Sequence, residues 1–410
     1  MKIKLFLLLG VFALITGCQN DDDGADNAKP RKDIALSRAE EVLADGNLDF
    51  AFRLFRQVNA TETQQANWII SPLSASLALG MTANGAAGNT LEEIKNTLGF
   101  GTFELAAMNS YNQKLIKELL NLDNTTRLNI ANSVWLNNSL PVNDSFVDVN
   151  KDMYGALVKN IELNSSKAIE TMNKWAAEQT NNAIKNVIAK VPSGAMFYIL
   201  NALYFKGTWK KPFKKSATKT ERFTNADKSS AKVAMMNQQE TFNYIYNDDF
   251  CIAEFPYGNE AFSMVVLLPT DEKELEKALD KLTADNWRDW YEQRYEQKLN
   301  VKLPRFEINY KKDLIGDMQL MGIKDAFNRE TADFASLSSK SNLYLNILDQ
   351  YNYIKVNEEG TEAASVTSSG GGFGANVSKK EEFYVDRPFA FMIKEKSTGT
   401  ILFMGKVTKM

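Results

Sequence analysis

Apolar positions recur at helical spacing near the start of the chain and at strand spacing through most of the rest. Helical pattern begins near Leu36 and strengthens at Phe50, Phe52, Leu54 and Phe55. Ser71-Pro72 reads as a helix start, a capping hydroxyl followed by proline at the first helical position. The small residues Ala75, Ala78 and Gly80 then predict a tightly packed central helix to Asn84. Asn89-Thr90-Leu91-Glu92-Glu93-Ile94 reads as capping chemistry for the next helix. Ala168 to Val187 carries an apolar face of Ile169, Met172, Trp175, Ala176, Ile184 and Val187. Leu128 to Trp135 alternates as a strand, and the apolar run Phe197 to Phe205, interrupted by Asn201, predicts a strand buried on both faces. Cys251–Tyr257 and Phe262–Pro269 flank a Gly-Asn turn, and Leu299–Ile308 is a further strand. Phe383–Ile393 and Gly399–Val407 are two apolar strands joined at Lys396-Ser397-Thr398-Gly399.

One stretch fits neither a plain loop nor a plain strand. From Thr361 the alternate residues are Thr361, Ala363, Ser365, Thr367, Ser369 and Gly371, all small and uncharged. Glu362, on the opposite face, is the only charge between Thr361 and Gly374. As a strand, this run presents a small, uncharged face to a core. As a loop, its Ser, Thr and Gly content suits exposure. Composition alone favours a flexible linker. The apolar strands that follow tether it at both ends to a folded body.

The 410 residues, 44% of them hydrophobic, suffice for a large core. A net charge of −3 leaves no basic field for nucleic acid. Histidine is absent, which excludes Ser-His-Asp and Cys-His catalysis within the chain and His-ligated metal sites. Of the two cysteines, Cys251 lies between Phe250 and Ile252 and reads as a small buried hydrophobe.

The other, Cys18, ends a different kind of segment. Met1-Lys2-Ile3-Lys4 is a basic start, and the run Leu5–Ile15, about eleven residues, is too short to span a bilayer. Leu14-Ile15-Thr16-Gly17-Cys18 resembles the bacterial lipoprotein cleavage and lipidation box. Residues 1–17 are therefore expected to be a signal peptide and Cys18 an acylated first residue. Residues 18–45, polar and weakly periodic, are expected to be a tether. The acidic Asp21-Asp22-Asp23 resembles the surface-export tether of some Gram-negative lipoproteins. The expected location is the bacterial outer membrane with the domain facing outward; a periplasmic or secreted protein is the alternative.

Spaced blocks from about residue 46 to 410 resemble the serpin family. They are Ser71-Pro72-Leu73-Ser74, the Gly85–Ile94 turn, Trp175 with Gln179-Thr180-Asn181, and Tyr204–Trp209 with Pro212-Phe213. Leu303-Pro304-Arg305-Phe306, the hinge Glu358-Glu359-Gly360-Thr361-Glu362-Ala363-Ala364, Asp386-Arg387-Pro388-Phe389 and Phe403–Val407 follow in the family's order. The resemblance implies a single α+β domain, with three β-sheets, about eight or nine helices and an exposed reactive loop over about 358–382. It implies an inhibitor rather than an enzyme, monomeric and without cofactor or metal. A chymotrypsin-, subtilisin- or elastase-like serine protease would cut the loop and be held as an acyl-enzyme while the loop inserts as a new strand. Glu358, Gly360, Thr361, Glu362, Ala363, Ala364 and Ser365 would form the hinge. A count of about seventeen residues from Glu358 places the reactive bond among Phe373, Gly374 and Ala375, whereas the spacing back from Pro388 points nearer Val377. Family members usually keep a histidine eight residues before the hinge glutamate. Here Gln350 occupies that place, with Ser71, Ser74 and Asn201 at the partner positions of a polar cluster where the central sheet parts. A non-inhibitory binding lipoprotein on the same scaffold is the rival reading.

Overall fold

The computed structural model describes residues 29–185, 188–192, 194–270, 275–340, 342–361 and 381–410. The helices among them are α1 (Arg38–Thr61), α2 (Pro72–Ala83), α3 (Gly88–Thr97), α4 (Leu105–Leu119), α5 (Asp144–Tyr154), α6 (Ser166–Gln179), α7 (Leu275–Asp280), α8 (Ala284–Glu292) and α9 (Ile315–Met321). The strands are β1 (Trp68–Ile70), β2 (Arg127–Asn137), β3 (Leu157–Ile161), β4 (Phe197–Thr208), β5 (Lys219–Thr224), β6 (Ser230–Tyr246), β7 (Phe250–Pro256) and β8 (Phe262–Pro269). They continue with β9 (Tyr295–Pro304), β10 (Phe306–Asp313), β11 (Asp349–Asn357), β12 (Gly360–Thr361), β13 (Glu381–Tyr384), β14 (Phe389–Glu395) and β15 (Ile401–Val407).

Capping residues set the first two helix starts. Ser37 closes a capping box with Glu40 at the head of α1. Ser71 caps α2 with Pro72 at its first turn, and every residue of α2 is buried. A side chain at Gly80 would bring Cβ to 2.6 Å from the Tyr154 hydroxyl, so the small residues do mark a tightly packed central helix. Three sequence expectations shift. The α3 helix starts at Gly88 with no side-chain cap. Thr90 instead accepts from Asp333 N, and Asn89 donates to Glu93 of its own helix and to Asp325, so these groups brace the distant segment that carries Asp325 and Asp333. The α6 helix stops at Gln179, because Asn181 and Asn182 turn to positive φ, although its apolar pattern runs on. The folded body also begins before residue 46: Ile34 is buried and α1 starts at Arg38.

Strand β6 is long enough to serve two sheets. Its early part pairs with β5 and β9, and its end pairs with β7. The small sheet of β5, β6, β9 and β13 thereby joins the apolar sheet β1-β15-β14-β8-β7 in one nine-stranded ladder. The six-stranded central sheet runs β10-β11-β12-β4-β2-β3. The main core lies between the two ladders. A second cluster, around Trp135, Met172, Tyr198 and Leu200, fastens α6 onto β2 and β4. In the apolar sheet one charge pair is buried: Lys394 Nζ lies 3.7 Å from Glu254 and 3.8 Å from the centre of the Tyr291 ring. Burial pulls the Lys394 pKa down to about 8, against the opposing pull of Glu254 and Glu395.

Candidate functional site

Strand β11 ends at Asn357, turns through Glu358-Glu359 and returns as β12 between β11 and β4. Thr361 pairs with Val356 on one side and Gly207 on the other. Both ladders of β12 are antiparallel, so β11 and β4 run parallel to each other. Among the described residues these two long strands share no ladder of their own; β12 alone is registered to both.

The turn is held by groups from four directions. Gly360 has φ +149°, and a Cβ there would lie 1.9 Å from the Gly207 carbonyl oxygen, so only glycine fits. Thr361 is buried and its hydroxyl lies 2.6 Å from the Tyr257 hydroxyl. The Tyr257 ring stacks on Trp209 at 4.5 Å. Trp209 Nε1 donates to the Asn357 carbonyl at 2.9 Å, and the backbone N–H groups of Trp209 and Phe213 donate to Glu359 and Glu358. The buried Glu358 carboxylate accepts from Arg305 Nε at 2.9 and 3.0 Å, from Arg305 Nη2 at 2.6 Å, and from the Thr218 hydroxyl. Burial raises the Glu358 pKa, but the hydrogen bonds of Arg305 and Thr218 outweigh it and hold the carboxyl below its ordinary value. Lys215 pairs with Glu359. Tyr257, Trp209, Arg305 and Thr218 were not expected at the hinge. Arg305 stood in a recognised motif, yet nothing local connects it to a carboxylate 53 residues away.

Lower on β11, Gln350 makes a reciprocal pair with the Ser71 backbone: its Oε1 accepts from Ser71 N at 2.8 Å and its Nε2 donates to Ser71 O at 2.7 Å. The Ser71 hydroxyl donates to Leu402 O at 2.6 Å and caps Ser74 N at 3.2 Å. Asn352 joins the cluster, donating to Gln350 Oε1 and Ile69 O. It is readable as the next residue on the buried face of β11, two positions on. Asn201 stands apart: its amide donates to Asn132 at 2.6 Å and its buried Oδ1 has no hydrogen-bond partner among the described residues. The expected cluster of four is thus Gln350, Ser71 and Ser74, with Asn201 across the sheet. Glu362, Ala363, Ala364, Ser365, Phe373, Gly374, Ala375 and Cys18 lie outside the described residues. Among the described residues, no helix is long and apolar enough to cross a membrane, and no acidic or cysteine cluster is placed to hold a metal.

Comparison with known proteins matches residues 45–410 to the family model described as serpin (serine protease inhibitor). Neuroserpin of Gallus gallus is 32% identical over 397 residues, covering 92% of this chain and 93% of its own length. Leukocyte elastase inhibitor of Equus caballus is 33% identical over 378 residues, covering 89% and 99%. Among solved structures, the thermophilic serpin tengpin in its native state superposes with a TM-score of 0.84 at 28% identity, over 93% of this chain and 97% of that one. Thyroxine-binding globulin in complex with thyroxine gives 0.81 at 27% identity, over 90% and 99%. Matched along residues 45–410 and superposing over most of its length on a solved serpin, this α+β chain belongs to the serpin family.

Proposed function

We propose that the chain inhibits a serine protease by offering its loop as substrate and trapping the enzyme as the loop inserts between β11 and β4. The observation that carries this is the seating of β12. Continuing its register with β4 brings Thr367 opposite Asn201 and Gly371 opposite Phe197, the first residue of β4. Continuing its register with β11 brings Thr367 opposite Gln350 as well. The Thr367 hydroxyl would then arrive between Gln350 and Asn201, whose Oδ1 has no partner among the described residues. Thr361, being buried, sets the phase, so Ala363, Ser365, Thr367, Ser369 and Gly371 would share its inward face. That face buries no charge, and each ladder bond contributes roughly 1 kcal/mol net.

In this mechanism the protease serine attacks the carbonyl of Phe373 or Gly374 and expels the amine of the next residue. An ester to the protease is left on the hinge-side segment. Insertion carries that ester along the sheet before water cleaves it. The strand available on β4 is used up at Gly371, which supports a bond just beyond it. Phe373 is the only large side chain between Val366 and Val377, so a chymotrypsin- or subtilisin-like pocket suits it. The test is incubation with a chymotrypsin-like protease. An SDS-stable complex of roughly one to one and a released fragment starting at Gly374 or Ala375 support the reading. A fragment starting at Ser378 or beyond defeats the bond assignment. No complex at all favours the non-inhibitory binding lipoprotein.

The location is proposed from Cys18. Several acyl chains on one cysteine anchor a protein stably where one does not. The mature protein should partition into detergent and a Cys18→Ala protein into the aqueous phase. Placement on the outer face of the outer membrane would make the inhibitor a shield against external proteases.

A further inference from the structure

We propose that the domain hangs from its lipid anchor by the pole that carries the hinge, so that the loop is offered to a protease working at an anionic lipid surface and the trapped enzyme is carried away from that surface. The proposal rests on acylation of Cys18 and on the inhibitory reading. Its first observation is where the tether joins the fold. Lys29 N donates to Asn124 Oδ1 at 2.9 Å, and Lys29 O accepts from Asn259 Nδ2 at 3.1 Å. The neighbouring Gly258 N donates to Thr208 O at 2.9 Å, and Thr208 is paired with Gly360 of the hinge. Both ends of the loop are held at this same pole. Thr361 is seated against Tyr257, and Glu381 opens β13, whose partner β9 leads directly into Arg305, the residue that holds Glu358.

The second observation is length. Lys29 follows Cys18 closely enough in sequence that the chain between them reaches at most about 40 Å at full extension. The opposite pole, where β4 begins at Phe197, lies a strand of 12 residues away, roughly 36 Å. Turning that pole to the lipid would use almost the whole reach of the tether alongside the domain, whereas the hinge pole faces the lipid without any such extension. The third observation is charge. Lys210, Lys211, Lys214, Lys215 and Lys219 follow directly on β4, and the exposed Lys29 and Lys32 stand at the junction with the tether. These lysines outnumber the acids that pair with them, Glu260, Glu240 and Glu359. A basic surface beside an acylated residue is drawn to anionic lipid. Insertion then moves the acyl-enzyme from the hinge toward Phe197, away from the anchor.

The orientation is measured on the mature chain from Gln19, with a hexahistidine in place of Cys18 holding it on nickel-chelating vesicles that contain anionic lipid. No native histidine competes for the nickel, and burial pushes the Cys251 thiol up to about 11, so an introduced cysteine takes the label. A donor dye is placed on Ser216→Cys, exposed in the turn before Thr218, or on Asn138→Cys, exposed just beyond the end of β2 that pairs with Phe197. Energy transfer to an acceptor lipid should be about twofold or more higher from the Ser216→Cys protein. Cleavage of the loop by a soluble chymotrypsin should be about three- to tenfold slower on the vesicle than in solution, and a spacer of about forty residues inserted after Asp23 should restore it. Equal transfer from the two positions, stronger transfer from Asn138→Cys, or a cleavage rate that the vesicle leaves unaltered would overturn the orientation. The expected order of transfer in a protein that forms no SDS-stable complex would sink the inhibitory reading and keep the orientation. Failure of lipidation shows separately, in the detergent partitioning of the Cys18→Ala protein.

Discussion

The hydroxyl pair Tyr257–Thr361 is where the hinge meets the core, and its removal has a calculable cost. The two oxygens are 2.6 Å apart, Tyr257 is fully buried and Thr361 is 2% exposed. Tyr257→Phe keeps the ring, its stacking on Trp209 and its edge contact with Phe205, and deletes only the hydroxyl. Thr361→Val keeps the shape and deletes the other. Each single change leaves a buried hydroxyl without its partner, which costs about 1–3 kcal/mol. Removing both partners at once is close to neutral, so the pair should show a coupling energy of about 1–3 kcal/mol, a factor of roughly 5 to 150 in seating of the hinge. The assay is a double-mutant cycle on the uncleaved protein, read by denaturant midpoints and by exchange at the Gly360 and Thr361 amides. Additivity of the two single changes within about 0.5 kcal/mol would refute the reasoning. It would mean that β12 is not seated against Tyr257 before cleavage.

Three further outcomes follow from the same geometry. Thr361→Arg has to bury a guanidinium against Tyr257 at the first inward position, at a cost of several kcal/mol; loop cleavage should continue while the yield of SDS-stable complex collapses, and undiminished trapping would contradict the insertion model. Glu358 has its folded pKa held below the ordinary 4.5, so its contribution is present above that value and is lost as pH falls through the lowered folded value; the stabilities of the parent and Glu358→Gln should differ at neutral pH and converge as the pH is taken below 4.5, and parallel stability curves would reject the assignment. Lys394, at about 8 against an ordinary 10.5, leaves the unfolded chain holding more protons between those values, so stability should rise with pH across that window. Lys394→Met should abolish the rise and cost about 3–5 kcal/mol by stranding the buried Glu254, a loss that Glu254→Gln in the same protein should largely recover.

What the sequence determined was local or periodic. Ser71-Pro72 specifies a helix start because capping needs only neighbouring groups, and the alternating face from Thr361 is legible because strand side chains repeat every two residues. The run Phe197–Phe205 is readable as doubly buried because it is apolar almost without a break, which leaves neither face for solvent. Where a distant group competes, pattern fails: Thr90 binds Asp333 N rather than capping its own helix, and α6 ends at Asn181-Asn182 although its apolar period runs on. The fold extends ahead of residue 46, and its order there comes partly from the capped start of α1 and partly from distant groups: Leu43 packs into the core and Ile34 N donates to Ser397, which only the folded chain brings near. Tertiary structure alone decided the partners of the hinge. Glu358 meets Arg305 across 53 residues, Thr361 meets Tyr257 across 104, and Gln350 meets Ser71 across 279. Such contacts depend on which strands lie side by side, and sheet order is fixed by packing between elements far apart in the chain rather than by anything a neighbouring residue encodes.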